Sequence, residues 1–217
     1  MKKWLTHFAS ISPVVFVLAT FLIGLVAPGY NHLSMTVSRL SLGSYGWIQS
    51  INLIIFALAL IVASEFLIKN SKNRSTRKAL HSTFIITAIV LTLLAIFPTD
   101  PIDSFPKQLR TISWSAAIHF LLVGMYVLIT PLGILVLTQT FKLDKNFNNL
   151  IFFTFATGFS AFTLSIIWFA FFYFGILDGF RGLFQKGIIL EVLIWLTIIM
   201  HRLKAQAHHD VSASPQA

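Results

Sequence analysis

The sequence has no cysteine and few charged residues. Only 11% of its 217 residues are Asp, Glu, Lys or Arg, against about 25% in soluble globular domains. The lack of cysteine excludes disulfides, iron–sulfur clusters, thiolate metal sites and cysteine nucleophiles. In contrast, 56% of the residues are apolar, and most of them lie in long runs. This composition is typical of a membrane protein with one transmembrane domain.

Six apolar segments are long enough to cross about 30 Å of hydrocarbon as helices at about 1.5 Å per residue. They lie at about 10–28, 47–68, 80–98, 114–138, 150–174 and 187–203. Because these runs lack the alternation of membrane strands, they exclude a β-barrel. The first segment follows Lys2 and Lys3, and we interpret it as a retained signal anchor. The predicted fold class is therefore an all-α membrane protein, a six-transmembrane-helix bundle.

The distribution of Lys and Arg predicts the orientation of the bundle, because positive loops stay in the cytoplasm. With the N-terminus inside, eleven of the 16 basic residues fall on the inner side. The five on the outer side are Arg39, Lys107, Arg110, Arg181 and Lys186. We therefore predict that both termini are cytoplasmic in a multi-pass protein of the bacterial inner (plasma) membrane. Residues 1–204 form the predicted single domain, and residues 205–217 a disordered polar tail.

The net charge of +9 lies mainly in short loops between apolar runs, where it orients the helices. We therefore expect membrane lipids as partners and no nucleic acid, while the sequence predicts no particular protein partner.

Two ionisable residues lie inside predicted spans, each in the outer half of its span. Glu191 is about one turn inside the sixth span, and His119 is one to two turns inside the fourth. A carboxylate in a span is unfavourable unless it is protonated, paired or facing a cavity. We therefore expect both side chains to face the interior and to share one polar cluster, with Arg39, Arg181 and Asp100 as partners. For His119, a neutral histidine bonded to a neighbouring helix is an equally good interpretation.

The first outer loop carries two stripes with helical spacing. Leu33, Val37 and Leu40 form an apolar stripe, and the other stripe consists of the serines at positions 34, 38 and 41. This spacing predicts a short helix from Leu33 to Leu42. Two interpretations stay open. Either the helix lies flat in the headgroup region with Arg39 on phosphates, or His32 and the serines fold inward towards Gln49 and Asn52 of the second span and His119 of the fourth.

Several short strings resemble one known family. They are Tyr30–Gly46 in the first outer loop, Phe97–Asp100 after the third span, His119 in the fourth, and Gly182–Lys186 leading to Glu191 and Trp195. Together they resemble the prokaryotic integral-membrane family catalogued as domain of unknown function 998, over nearly the whole chain. Members often carry an acidic residue after the serine of the first outer loop, whereas Arg39 follows Ser38 here. The resemblance implies a membrane fold and no particular activity.

Three functions remain open. The first is binding of a lipid headgroup or small amphiphile in an outward-facing polar pocket. The second is an intramembrane hydrolase acting on a lipid by metal or acid/base chemistry, and the third, less favoured, is a small transporter. The candidate ligand-binding residues are His32, Ser34, Ser38, Arg39, Asp100, His119, Arg181 and Glu191.

Four of these candidates, His32, Asp100, His119 and Glu191, are of types that bind zinc. Zinc is compatible with these side chains, but no HExxH or similar motif supports it. The sequence has no haem, flavin, nucleotide or iron–sulfur signature, and it does not identify catalytic residues.

Overall fold

The computed structural model describes residues 2–101, 112–176 and 178–212. Within these residues there are six long helices and no strand: α1 (Lys3–Val26), α2 (Gly46–Asn70), α3 (Arg74–Ile96), α4 (Trp114–Phe141), α5 (Ile151–Phe174) and α6 (Arg181–Ser212). All six are long and apolar enough to cross a membrane, which confirms the predicted all-α, six-helix membrane fold. Lys107 and Arg110, two of the five basic residues predicted outside, lie beyond the described residues.

Short polar side chains fix the starts of two helices. The Asn73 Oδ1 accepts hydrogen bonds from the amides of Ser75 at 2.8 Å and Thr76 at 3.2 Å, at the start of α3. The Ser113 Oγ accepts from the Ala116 amide at 3.1 Å at the start of α4. These caps satisfy amides that have no partner within the helix.

The helices form a closed ring in chain order. Each helix packs against the next one, and α6 packs against α1. The ring is filled by large side chains, including Phe84 and Trp195, whose ring centroids lie 6.2 Å apart. The indole of Trp195 donates to the Thr154 Oγ1 at 3.2 Å, so its polar atom is satisfied inside the core.

The outside of the ring is apolar. On α1 alone, the exposed side chains include Ile11, Val15, Leu18, Leu22 and Leu25. A soluble monomer rarely exposes so continuous an apolar surface, whereas a helix bundle in lipid requires one. The chain is therefore a multi-pass membrane protein.

The residues after α1, after α3 and after α5 lie at one end of the ring, which we call the loop-1 end. Loop 1 is the connection between α1 and α2, residues 27–45. The start of α1, the end of α6 and the α2–α3 and α4–α5 connections lie at the opposite end. There, α6 continues as helix through Ser212, into the segment for which the composition predicts a disordered tail. Ala205, Gln206 and Ala207 all favour helix, which accounts for the extension.

A buried carboxylate joins the two connections at the opposite end. Asp144 is 1% exposed, and its Oδ2 accepts hydrogen bonds from the Ser71 hydroxyl at 2.6 Å and from the amides of Lys72 and Asn73 at 2.9 and 3.1 Å. Its Oδ1 accepts from the Asn146 amide at 3.2 Å. Burial acts to raise the pKa of Asp144, but these hydrogen bonds outweigh it and hold the pKa below its usual value.

Candidate functional site

Loop 1 is held against the first turns of α6. The amide of Leu183 donates to the Leu33 carbonyl at 2.8 Å. The Oε1 of Gln185 accepts from the Val37 amide at 2.8 Å, which satisfies the start of a 3₁₀-helix, Val37–Ser41. Long-range hydrogen bonds therefore set the shape of the loop.

Lys186 strengthens the same attachment. Its ammonium donates to the carbonyls of His32 at 2.9 Å and Met35 at 2.7 Å, and more weakly to Gly182 at 3.4 Å. Gly182 also permits the close approach of the two segments, because a Cβ there would overlap the Met35 carbonyl. The charge of Lys186 is thus used to bind loop-1 carbonyls.

These contacts correct the prediction of a helix from Leu33 to Leu42. The structure has only the five-residue 3₁₀-helix Val37–Ser41, preceded by turns. In an α-helix the Met35 carbonyl would accept from the Arg39 amide. Here the Arg39 amide donates to the Thr36 carbonyl at 3.1 Å instead, and the lysine of α6 donates to Met35. Competition from α6 therefore replaces the predicted α-helical bonds.

Only part of each predicted stripe turns inward. Val37 and Leu40 are buried, at 8% and 2% exposure, whereas Leu33 is 48% exposed. Ser38 and Ser41 line a cavity beneath the loop.

This cavity, which we call the outer cavity, lies between loop 1 and the interior of the ring. The empty space between its lining residues, open solvent included, is about 540 Å³. Its polar lining residues are Ser38, Ser41, His119, Tyr126 and Gln185. Its apolar ones come from loop 1 and five of the long helices: Val37, Phe16, Leu53, Phe56, Leu91, Leu94, Val123 and Ile189. Four of the polar groups lie near loop 1, and Tyr126 lies two turns further along α4 than His119. A mainly apolar wall with a few polar groups suits an amphiphilic ligand.

His119 is the most buried of the predicted site residues, at 2% exposure. Its Nδ1 lies 2.6 Å from the Phe97 carbonyl, the last acceptor of α3, and must therefore carry the hydrogen. In the neutral tautomer, Nε2 is then an acceptor. Nε2 has no hydrogen-bond partner in the part of the chain that the structure describes. The predicted structural role is present, and one ring nitrogen remains available to a ligand.

Gln49 is a second buried group with an unused hydrogen bond. It is fully buried, and its Nε2 has no partner among the described residues. On α2, Gln49 lies between Gly46, which packs on the backbone of Ser41, and Leu53, which lines the outer cavity. Residues three, four and seven apart share a helix face, so Gln49 lies on the face of α2 that carries Leu53. Its Oε1 accepts from the Thr20 hydroxyl of α1 at 3.5 Å.

His32 lies in an adjoining cavity of about 490 Å³ between α1 and α6. Its ring lies over Gly24, where a Cβ would overlap it, and packs 5.0 Å from the Phe21 ring. Burial lowers the pKa of His32, and the nearby charge of Lys186 lowers it further, which favours a neutral imidazole at pH 7. Phe16, Val37 and Ile189 line both cavities.

Asp100 has a local partner. Its carboxylate accepts hydrogen bonds from the amide of Ser113 at 2.7 Å and from the Ser113 hydroxyl at 2.8 Å. The nearby Ser115 hydroxyl donates to the Pro98 carbonyl at 2.8 Å. These bonds join the end of α3 to the start of α4 and thereby help to position His119.

The remaining candidates of the loop-1 end do not line the outer cavity. The Ser34 amide bonds to the Asn31 Oδ1 at 3.3 Å in the turn before the 3₁₀-helix. Arg39 lies within the 3₁₀-helix. Arg181 begins α6, and its carbonyl accepts from the Trp168 indole at 3.1 Å.

The prediction that Glu191 and His119 share one cluster is wrong. Glu191 lines a separate groove between α5 and α6, beside the hydroxyl of Ser160. The reason is helical rotation: at about 100° per residue, Glu191 points about 200° away from Ile189, which faces the outer cavity. The sequence gives the depth of Glu191 but not its direction.

The four metal candidates do not form one metal site. Within residues 2–101, 112–176 and 178–212, no three His, Asp or Glu side chains lie close enough to hold an ion together. His32, His119 and Glu191 line three different cavities, and Asp100 is bonded to Ser113.

The sequence analysis did not select Gln49, Gln185 or Lys186 as site residues. Polar residues inside or at the start of an apolar span were the available signal, and Gln185 and Lys186 belong to one of the strings that carry the family resemblance. Nothing local in the sequence indicates that Asp144 is buried.

The fold and the cavity define a six-helix integral membrane protein with a polar-ended cavity under its first loop. The chain belongs to the family described as protein of unknown function (DUF998), whose model matches residues 10–202. This confirms the resemblance inferred from its short strings. No curated protein matches the chain, and no solved structure matches it.

Proposed function

We propose that this protein binds a small amphiphile in the outer cavity, with the apolar chain between the helices and the polar head beneath loop 1. The observation that carries the proposal is His119 Nε2, a buried acceptor without a partner at the wall of a mainly apolar cavity. A buried polar atom left without a hydrogen bond costs about 1–3 kcal/mol. A ligand head that donates to Nε2 removes this cost.

We also propose that loop 1 faces the outer side of the bacterial plasma membrane, with both termini in the cytoplasm. Eleven of the 16 Lys and Arg support this orientation. The opening of the cavity then lies near the outer headgroup region, where an amphiphile of the outer leaflet can enter. Membrane lipids or their breakdown products are therefore the proposed source of the ligand.

The second candidate function is that of a hydrolase that uses acid/base chemistry and no metal. Ser38 and Ser41 line the same cavity as His119 Nε2, and the Phe97 carbonyl orients the imidazole as an accessory group orients a general base. The hydrolase would cleave a bound ester. Release of decanoic acid from monodecanoylglycerol by the purified protein, absent in Ser38→Ala or Ser41→Ala, would favour the hydrolase over simple binding.

The binding proposal is tested by blocking the cavity. The protein is reconstituted in phosphatidylcholine nanodiscs and labelled with photoactivatable decanoyl probes that carry hydroxyl, carboxylate, phosphate or ammonium heads. Val123→Trp fills the cavity from α4 and should reduce labelling by the binding probe at least tenfold. The matched control is Leu121→Trp on the same helix, whose side chain is 65% exposed on the lipid face.

Leu121→Trp should label like the wild type. If no probe's labelling depends on Val123→Trp while the variant keeps its wild-type elution volume and melting temperature, the cavity does not bind amphiphiles.

A further inference from the structure

We infer that the ligand of the outer cavity has an uncharged, hydroxyl-bearing head that both donates and accepts hydrogen bonds. This inference rests on the proposed function and names the class of ligand. It narrows the expectation drawn from the sequence, in which the ligand is a lipid headgroup or small amphiphile and Arg39 and Arg181 are among the candidate binding residues.

The first argument is the charge of the wall. None of the described residues that line the outer cavity is Asp, Glu, Lys or Arg. The nearest lysine on α6, Lys186, lines the adjoining cavity and already donates to loop-1 carbonyls, at 2.7 Å to Met35 and 2.9 Å to His32. Neither a phosphate nor an ammonium head would find an opposite charge here, and an unpaired charge in an apolar site is strongly unfavourable.

The second argument is the pair of unused hydrogen bonds. His119 Nε2 is an acceptor, because Nδ1 bonds to the Phe97 carbonyl. Gln49 Nε2 is a donor without a partner among the described residues, on the face of α2 that carries Leu53 of the cavity wall. A hydroxyl group supplies what both lack, since its hydrogen suits His119 and its oxygen accepts from Gln49. An ionised carboxylate or phosphate supplies only acceptors, so it would satisfy Nε2 only if His119 took up a proton and became charged in an apolar wall, which a neutral hydroxyl head does not require.

The third argument is the character of the other polar groups. Ser38 and Ser41 contribute hydroxyls, which donate and accept equally well. The Gln185 Oε1 is already bonded to the Val37 amide. The polar end of the cavity is therefore neutral and mixed in donors and acceptors, as recognition of an alcohol requires. Monoacylglycerols and long-chain alcohols have heads of this class.

The inference is tested by changing the ligand and leaving the protein intact. In the same nanodiscs, which exclude sugar detergents with competing hydroxyls, unlabelled probes compete with the photolabel. The probes share one decanoyl or decyl chain: monodecanoylglycerol, its di-O-methyl ether, decanoic acid, decyl phosphate and decylamine. Monodecanoylglycerol should compete at least tenfold more strongly than each of the others. The ether is the sharpest comparison, because it keeps the oxygens and loses only the hydroxyl hydrogens.

Variants then assign the recognition to named side chains. His119→Phe keeps a planar ring but removes Nε2, and Gln49→Leu removes the amide donor. His119→Phe should reduce the affinity for monodecanoylglycerol about tenfold and leave that for the ether unchanged, because the ether has no hydrogen to donate to Nε2. Gln49→Leu should reduce the affinity for both compounds about tenfold, because the ether keeps the oxygens that accept from the amide. His81→Phe is the matched control, because His81 is exposed at the start of α3. If His119→Phe fails to fold, Gln49→Leu and the ether comparison still test the inference.

The outcomes separate this inference from the proposed function. If a charged probe or the ether competes as well as monodecanoylglycerol while Val123→Trp still blocks labelling, the hydroxyl head is wrong and the binding cavity stands. If Val123→Trp blocks no probe, both are wrong. If His119→Phe and Gln49→Leu both fold and still bind the hydroxyl probe as tightly as the wild type does, His119 and Gln49 do not recognise the hydroxyl head.

Discussion

At the scale of single residues, two buried ionisable side chains, one at each end of the bundle, differ in how fully their hydrogen bonds are used. Asp144 is buried with four hydrogen bonds, so it is fully used in the fold. His119 uses one nitrogen for the fold and leaves the other without a partner among the described residues. Complete satisfaction indicates a structural role, whereas partial satisfaction at a cavity wall indicates binding.

Asp144→Asn should lower the melting temperature in detergent by about 6–12 °C. The amide nitrogen that replaces Oδ2 cannot accept from Ser71, Lys72 and Asn73, and losing such bonds to a charged group costs about 3 kcal/mol. The control is Glu65→Gln, which removes a carboxylate at an exposed position near the same end. Its melting temperature should match the wild type, and an equal fall in both variants would contradict the structural role of Asp144.

The lowered pKa of Asp144 also predicts that the stability of the protein falls at acidic pH. Because its pKa is lowered in the folded protein, its contribution is fully present above the unfolded value near ~3.9 and is lost as the pH falls through the folded pKa. The melting temperature of the wild type should therefore drop more steeply in this range than that of Asp144→Asn. Parallel curves for the two proteins would argue against the lowered pKa.

At the scale of elements, the helices were predictable and the loop was not. A run of about 20 apolar residues has few alternatives to a membrane helix, so all six spans were identified. Loop 1 shows helical spacing, but Gln185 and Lys186, about 150 residues later, take its hydrogen bonds. The rotation of α6, which separates Glu191 from His119, depends on packing that no local pattern encodes.

Lys186→Met should loosen loop 1 without unfolding the ring. The carbonyls of His32 and Met35 lose a charged donor, so hydrogen exchange of the loop-1 amides, including Val37, should accelerate at least tenfold. Exchange in α3 should not change. The control is Lys69→Met at the opposite end, where the side chain is exposed. Unchanged exchange in loop 1 would show that Lys186 does not hold it.

At the scale of the whole molecule, hydrogen bonds of polar groups connect chain segments at each end of the ring of six helices, and the sides of the ring are apolar. Asp144 joins the connections at one end, and the loop-1 contacts with α6 close the other. The orientation of this ring in the membrane follows from charge alone, because the fold is compatible with either direction.

The orientation predicts opposite results for two reporter fusions. Alkaline phosphatase, which is active only outside the cytoplasm, should be inactive when fused after Ala217 and active when inserted next to Asp103. A cytoplasmic green fluorescent protein fused at the same two places should give the reverse pattern and serves as the control. Active phosphatase at Ala217 would reverse the assignment of both ends and place the cavity opening on the cytoplasmic side.

The attachment of loop 1 to α6 has a consequence for biogenesis. Loop 1 leaves the ribosome early, whereas the segment that bonds to its carbonyls is synthesised after the other five helices. Until α6 inserts, α1 also lacks the neighbour that closes the ring. The binding cavity is therefore completed only at the last step of insertion, and a nascent chain stalled before α6 should be recognisable to membrane proteases by its open flank.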